Sequence, residues 1–220
     1  MTSKDDIPPK DQIPAVTPEL LLEAYCAGYF PMAMSKRGRT LYWFNPEIRA
    51  VLPLQDDSFH ISRTLRKLLR NHPYTITVDT AFSEVMRACA DTTRKKEDGT
   101  WINKEILALY GQLHDMGFAH SVEVWEDKTL IGGLYGVSIG AAFFGESMFS
   151  LRTGASKIAL VHLVERLKAA EYQFLDAQFE NPHLVQFGFQ SVPQEAYHTL
   201  LRQALSASPK PSTRFLTISV

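Results

Sequence analysis

Two cysteines, Cys26 and Cys89, are all that the 220 residues contain, so no disulfide framework organises this fold. Both lie in helical, apolar stretches and read as inert core residues rather than nucleophiles. No apolar run approaches the roughly 20 residues that span a bilayer. The opening stretch, MTSKDDIPPKDQIP, is polar and lacks a signal-peptide core, so the cytosol is the expected compartment. No G-x-x-x-x-G-K-[ST] loop, and no G-x-G-x-x-G after a strand, is present to cradle nucleotide phosphates. No G-x-S-x-G elbow presents a serine. The seven histidines show no H-E-x-x-H and the cysteines no C-x-x-C, so no metal site is expected. An excess of charge is missing too: 23 Lys+Arg face 24 Asp+Glu, for a net charge of -1. That balance argues against a nucleic-acid partner on average, although the distribution of charge along the chain carries more weight.

What is present is ordinary for a globular protein: 45% hydrophobic and 21% charged residues. The length suits one large domain, or one with a small appendage. Residues 1–14, with Pro8, Pro9 and Pro14, read as a flexible arm. A helix is predicted from Thr17 as N-cap and Pro18 as first residue, with Gly28 to end it. Lys36–Arg39 reads as a basic loop and Tyr42–Phe44 as a short strand. Helices are predicted over 60–69, 81–90, 103–116, 156–170 and 193–205. Strands are predicted over 75–78, 119–125, 130–137, 141–150, 174–178 and 215–220, with a charged loop at 94–99. Three consecutive strands, a helix and a further strand resemble the core of the N-acetyltransferase-like (GNAT) fold, an analogy that fixes no chemistry.

Three clusters carry possible chemistry. Glu146 stands within the apolar strand Phe144-Gly-Glu-Ser-Met-Phe-Ser150, where a carboxylate needs a partner. It reads either as part of a site, or as a structural acid paired with Arg152 or Lys157 or capping the next helix. Asp176 and Gln178 share one face of the strand 174–178 by alternation, which suits a site or a solvated edge. Arg63, Lys67 and Arg70 follow one another by four and three residues, on one helical face with no acid among them. A stripe of one sign suits a phosphate backbone, whereas a charge run is more often a solvated face. Trp43 and Trp101 offer surfaces on which bases stack, or simply pack; Trp101 is the better candidate, at a loop-to-helix junction.

Together these pieces closely resemble the leucyl/phenylalanyl-tRNA–protein transferase family over about residues 17 to 205. The match runs through Ala24-Tyr-Cys-Ala-Gly-Tyr-Phe-Pro31, Trp43-Phe-Asn-Pro-Glu-Ile-Arg-Ala-Val-Leu52, His60-Ile-Ser-Arg63, Gly99-Thr-Trp-Ile102 and His120-Ser-Val-Glu-Val-Trp125. It continues through Gly132-Gly-Leu-Tyr-Gly-Val137, Phe144–Ser150, Ala155-Ser-Lys157, Leu175-Asp-Ala-Gln178, His183-Leu184 and Gly188. The run F-G-E-S-M-F-S, then A-S-K, then D-x-Q is highly specific. Where the family often has a second tryptophan after Phe-Pro, this chain has Met32; where it has a further basic residue, this chain has Asn71. Gln186-Phe-Gly-Phe189 replaces a segment that usually ends near S-L-G-A.

The resemblance implies an α+β fold: a small N-terminal domain (1–48) followed by a GNAT-like mixed sheet flanked by helices (49–220). It implies transfer of Leu or Phe, and Met less well, from aminoacyl-tRNA to the α-amine of proteins beginning with Lys or Arg. The product is a destabilising N-terminus that feeds N-degron degradation in the cytoplasm. Glu146, Asp176 and Gln178 match the reaction centre. Leu134, Phe143, Met148, Leu160, Leu163 and Leu175 match the donor side-chain pocket. Trp101, with Met32, matches the adenosine contact, and Arg63, Lys67 and Arg70 match the tRNA contacts. A monomer working without metal, cofactor or membrane is expected. In the resulting mechanism Gln178 positions the attacking amine, and Asp176 polarises that arrangement and is a candidate to take its proton. The rival readings are an acetyl-CoA-dependent N-acetyltransferase, another aminoacyl-tRNA-dependent peptidyl transferase, and a tRNA-binding module without catalysis.

Overall fold

The computed structural model describes residues 16–33, 41–91 and 102–210. The expected arm at 1–14, the loops at 36–39 and 94–99, Trp101 and the strand at 215–220 lie outside the described residues.

Helix α1 (Pro18–Cys26) starts as its sequence dictates: the Thr17 hydroxyl accepts the Leu20 N–H at 3.2 Å, and Pro18 fills the first position. Gly28, at φ +88°, turns the chain into β1 (Phe30–Ala33). β1 pairs antiparallel with β2 (Leu41–Phe44) in a two-stranded sheet. Then come β3 (Ile48–Pro53), α2 (Arg63–Asn71), β4 (Thr75–Val78), α3 (Phe82–Asp91) and α4 (Lys104–Asp115). β5 (Ala119–Glu126), β6 (Thr129–Ile139) and β7 (Ala142–Ser150) follow as a meander. α5 (Ala155–Ala169), β8 (Phe174–Asp176), α6 (Pro182–Val185), β9 (Gln190–Pro193) and α7 (Gln194–Ser206) complete the described elements.

Seven strands form one sheet in the order β4-β5-β6-β7-β8-β3-β9. Only β7 and β8 pair in parallel, through Ala142–Phe144 and Phe174–Asp176. β7 then runs on to Ser150, past the end of β8, and that divergence opens the sheet. One face carries α3, α4 and the buried side of α1, around Phe82, Tyr110, Phe144 and Tyr25. The other carries α5, with α2 packed on it, around Leu160, Leu163, Phe143 and Leu175. Gly132 lies so close to Ala155 that an added Cβ would meet its Cβ at 2.5 Å, which seats the start of α5 directly on β6.

Sequence patterning located the longer elements, but β1, β3, α6 and β9 were not anticipated. β1 holds Pro31, which favours edge positions and disguises a strand. β3 carries Arg49 in a buried strand that otherwise reads as aliphatic. The strand expected over 174–178 stops at Asp176, because Gln178 turns to φ +64°. The helix expected from His60 starts at Arg63, since Ser62 caps it and the His60 N–H is held by the Phe187 carbonyl. Cys89 is buried as expected, whereas Cys26, on the outward side at the end of α1, is exposed.

Candidate active site

Across the β6–β7 ladder Tyr135 faces Ser147 and Gly136 faces Gly145, so Glu146 is the extra residue of a bulge. A bulge breaks strict alternation and re-aims the side chain it carries. Glu146 is 8% exposed and lines a cavity of about 780 Å³. Its Oε1 accepts from the Tyr25 hydroxyl at 2.7 Å and from Gln178 Nε2 at 2.9 Å, and its Oε2 accepts from the Tyr110 hydroxyl at 3.1 Å. The two phenols also touch each other. None of these donors is a cation. Arg152 instead pairs with Glu126 at 3.2 Å, and Lys157 forms no ion pair with a described residue, so neither of the expected cations partners Glu146. Burial pushes the Glu146 carboxyl up to about 7, against the opposing pull of the Tyr25 and Tyr110 hydrogen bonds.

Asp176, at the end of β8, is wholly buried and differently held. Arg49 Nε lies 3.1 Å from both its oxygens, and Arg49 Nη2 is 2.8 Å from Oδ2. The Tyr197 hydroxyl donates to Oδ2 at 2.8 Å, and the Gln178 N–H to Oδ1 at 2.8 Å. The guanidinium is itself fixed: Nη1 donates to the Gly28 carbonyl at 2.8 Å, and the rings of Phe30 and Tyr197 lie 4.7 and 4.4 Å from its centre. A carboxylate offers about four lone-pair directions, and here all are taken. Asp176 borders the cavity but is wholly buried and ion-paired, with its lone-pair directions occupied, so it offers the amine proton no open position. Arg49→Met is expected to cost about 3–5 kcal/mol of stability, because it strands a buried carboxylate. The urea midpoint measures this, and R49M/D176N should recover part of the loss.

Gln178 reaches the site by a route that strand alternation did not foresee. Its N–H bonds to Asp176, its carbonyl accepts the Ala50 N–H at 3.1 Å, and its left-handed backbone swings the side chain onto Glu146. An ionised carboxylate only accepts, so the amide nitrogen faces Glu146. The amide Oε1 then has no donor among the described residues, on a side chain that lines the cavity.

The cavity also has apolar lining, from Leu134, Met148, Leu160, Leu163 and Leu175. Phe143, expected there, is a correction: it is wholly buried behind the wall, with its ring against Gly136, and does not line the cavity. Met32, from β1, lines the cavity on the side of Phe30 and Phe179.

A family model described as leucyl/phenylalanyl-tRNA protein transferase matches residues 51–202, and one for the N-terminal domain of the same proteins matches residues 15–47. A leucyl/phenylalanyl-tRNA–protein transferase of Paramagnetospirillum magneticum is 51% identical over 191 residues, covering 87% of this chain and 90% of that protein. One of Akkermansia muciniphila is 52% identical over 190 residues, covering 86% and 96%. The chain belongs to the leucyl/phenylalanyl-tRNA–protein transferase family. It is an aminoacyltransferase, and its family acts on aminoacyl-tRNA and protein substrates.

Among solved structures, FemX superposes on this transferase with a TM-score of 0.51 at 10% identity, over 79% of this chain and 66% of that one. The structure of L-PGS from Bacillus licheniformis gives 0.42 at 15%, over 84% and 61%. The chain spans about two thirds of the first and less of the second. The GNAT-like mixed sheet flanked by helices, expected from the order of elements, is the fold of this transferase.

Its basic helix α2 is exposed along one side. Arg63, Lys67 and Arg70 face solvent as spacing predicted, and Arg66 joins them on the same arc, a fourth cation that the original stripe omitted. Leu65 is buried on the opposite side. No acid stands in the first turn, where the helix dipole would favour one and Arg63 is disfavoured. None of the four cations forms an ion pair with a described residue. Gly154, the αL residue before α5, lines the cavity and has Leu68 of α2 against it: an added Cβ would lie 2.5 Å from Leu68 Cδ2. The basic helix thus abuts the cavity rim. Among the described residues no group of His, Cys, Asp and Glu is arranged to hold a metal ion, and no helix is long and apolar enough to cross a membrane.

The residues that patterning missed are Arg49, Tyr25, Tyr110 and Arg66. A lone arginine within Ile48-Arg-Ala-Val-Leu52 was the available signal for the first. The tyrosines sat inside predicted helices and gave none beyond their type.

Proposed function

We propose that this transferase moves Leu or Phe, and Met less well, from aminoacyl-tRNA to the α-amine of proteins beginning with Lys or Arg. In the cytoplasm the products would enter N-degron degradation. The observation that carries the reading is one cavity with two unlike linings: an apolar wall of Leu134, Met148, Leu160, Leu163 and Leu175, and the Glu146–Gln178 pair. The apolar lining suits an unbranched-β donor side chain, since β-branching crowds the entrance. The anionic lining favours an amine on a cationic residue.

The donor is an ester and already activated, so the protein need only align the reactants, handle a proton and stabilise the oxyanion. The Gln178 amide oxygen accepts a hydrogen bond from the amine and orients it. Trp101 and Met32 are assigned to the terminal adenosine. The reading treats residues 1–48 as a small N-terminal domain that lends Tyr25 and Met32 to the catalytic domain at 49–220. A monomer without metal or cofactor suffices.

Labelled Leu-tRNA and Phe-tRNA offered with an N-terminal Arg reporter test the reading. Transfer to Arg but not to an acetylated N-terminus supports it; acetyl transfer from acetyl-CoA would replace it.

Arg63, Lys67 and Arg70 are assigned to the tRNA backbone, with Arg66 beside them. Replacing the first three by Ala should weaken tRNA binding and flatten the plot of log K against log salt by about 2 to 3. An unchanged slope in filter binding would turn this helix away from the phosphates.

A further inference from the structure

We propose that Glu146 takes the proton lost by the attacking amine, and that Tyr25 and Tyr110 act as positioning residues that close a hydrogen-bond ring around it. The inference rests on the transfer reaction proposed above and names a proton acceptor within it.

Lone-pair accounting selects the carboxylate. Asp176 has every direction filled by Arg49, Tyr197 and Gln178. Among the described residues, Glu146 has Oε1 filled by Tyr25 and Gln178 but Oε2 filled only by Tyr110, so one direction is left open to them on a side chain that lines the cavity.

Proton accounting then shows what the tyrosines do. Three contacts join Glu146, Tyr25 and Tyr110 in a ring. With Glu146 ionised, two phenolic protons serve three contacts, and one contact has no proton. A proton added to Glu146 supplies the third: the acid donates to one phenol, that phenol to the other, and the other back to the carboxyl. Mutually polarising bonds of this kind strengthen one another in a dry interior. Burial and the adjacent Glu146 charge hold both phenols well above their ordinary pKa, so they keep their protons. Glu146 itself is the group shifted towards neutrality, as a base for an α-amine near 7.7–8.0 requires. Three further groups bear on it. Tyr135 of β6 stays protonated, Asp176 of β8 raises its pKa, and Arg49 of β3 lowers it.

The step balances as follows. The neutral amine attacks the ester carbonyl carbon, forming a C–N bond and an oxyanion. The nitrogen passes one proton to Glu146. The oxyanion collapses, breaking the bond to the ribose oxygen, which leaves with the proton that Glu146 returns. The products are an amide and a free hydroxyl, and Glu146 is again a carboxylate.

Kinetics across pH decides the matter. Below about 7, wild-type log kcat/KM should fall towards a slope of two, one proton on the amine and one on Glu146. Glu146→Gln should leave a residual activity with a slope of one; a slope of two in that variant overturns the proposal. Protonation adds one contact to the ring, but the two bonds that the phenols donate to the carboxylate outweigh it and lower the Glu146 pKa, so in Y25F/Y110F the acid limb should move to higher pH. A limb that stays in place while kcat falls makes the tyrosines merely structural and also overturns the ring. The single variants Y25F and Y110F give the same reading if the double variant fails to fold. Failure of the transfer reading itself looks different: wild-type protein would then transfer neither Leu nor Phe at any pH.

Discussion

Gln178→Ala should lower kcat by about a hundredfold while leaving the KM for aminoacyl-tRNA near its original value. The amide touches the incoming amine in the proposed reaction, not the donor, so its loss should be felt after the donor has bound. Two features make the experiment informative. Among the described residues the side chain makes one hydrogen bond, to Glu146 at 2.9 Å, so truncation disturbs few neighbours. The backbone, however, stands at φ +64°, which is costly for Ala and easy for Gly. Gln178→Gly is therefore the proper companion. If both variants lose kcat alike, the amide is responsible. If Gly retains activity and Ala does not, strain at the turn is the cause and the role assigned to the amide is wrong. Asp176→Asn answers a different question. It removes the countercharge of a buried arginine, so its loss of activity should track its loss of stability rather than a change in chemistry.

Leu134→Trp and Met148→Trp should suppress Phe transfer more than Leu transfer. Leu134 is buried in the apolar wall and Met148 is 38% exposed at the mouth, so the first fills the depth of the pocket and the second its entrance. Excluding one methylene's worth of volume costs about 1–3 kcal/mol, or roughly 10–200-fold in kcat/KM, and an aromatic donor loses more than that. Competition between Phe-tRNA and Leu-tRNA for one Arg reporter reads the ratio directly. Phe transfer unchanged in both variants would place the donor side chain elsewhere. Phe143, by contrast, backs the wall without reaching the cavity, so Phe143→Leu should act through packing and lower Tm with little change in the Leu:Phe ratio.

Much of this molecule was legible in the order of its residues, and for definite reasons. The meander β5–β6–β7 and the helix α5 announce themselves through periods of two and of about 3.6 residues. A cap is a local matter, so Thr17 and Pro18 place the start of α1 without reference to anything distant. The run F-G-E-S-M-F-S with D-x-Q pointed to the family, and the family match bears it out. The cation stripe of α2 follows from helix geometry alone, and so does its exposure once Leu65 is seen opposite.

What tertiary structure alone decided is the division of labour between two acids that the sequence presents as equals. Asp176 is neutralised by Arg49, 127 positions away, because β3 inserts between β8 and β9. Glu146 meets Tyr25 and Tyr110, 121 and 36 positions away, because a bulge aims it at the face where α1 and α4 pack. Periodicity reports which face a side chain takes, not which strand lies beside it. Whether a buried carboxylate meets a cation or a pair of phenols depends on strand order and bulge position. That neighbour sets its charge, and so whether it can take a proton.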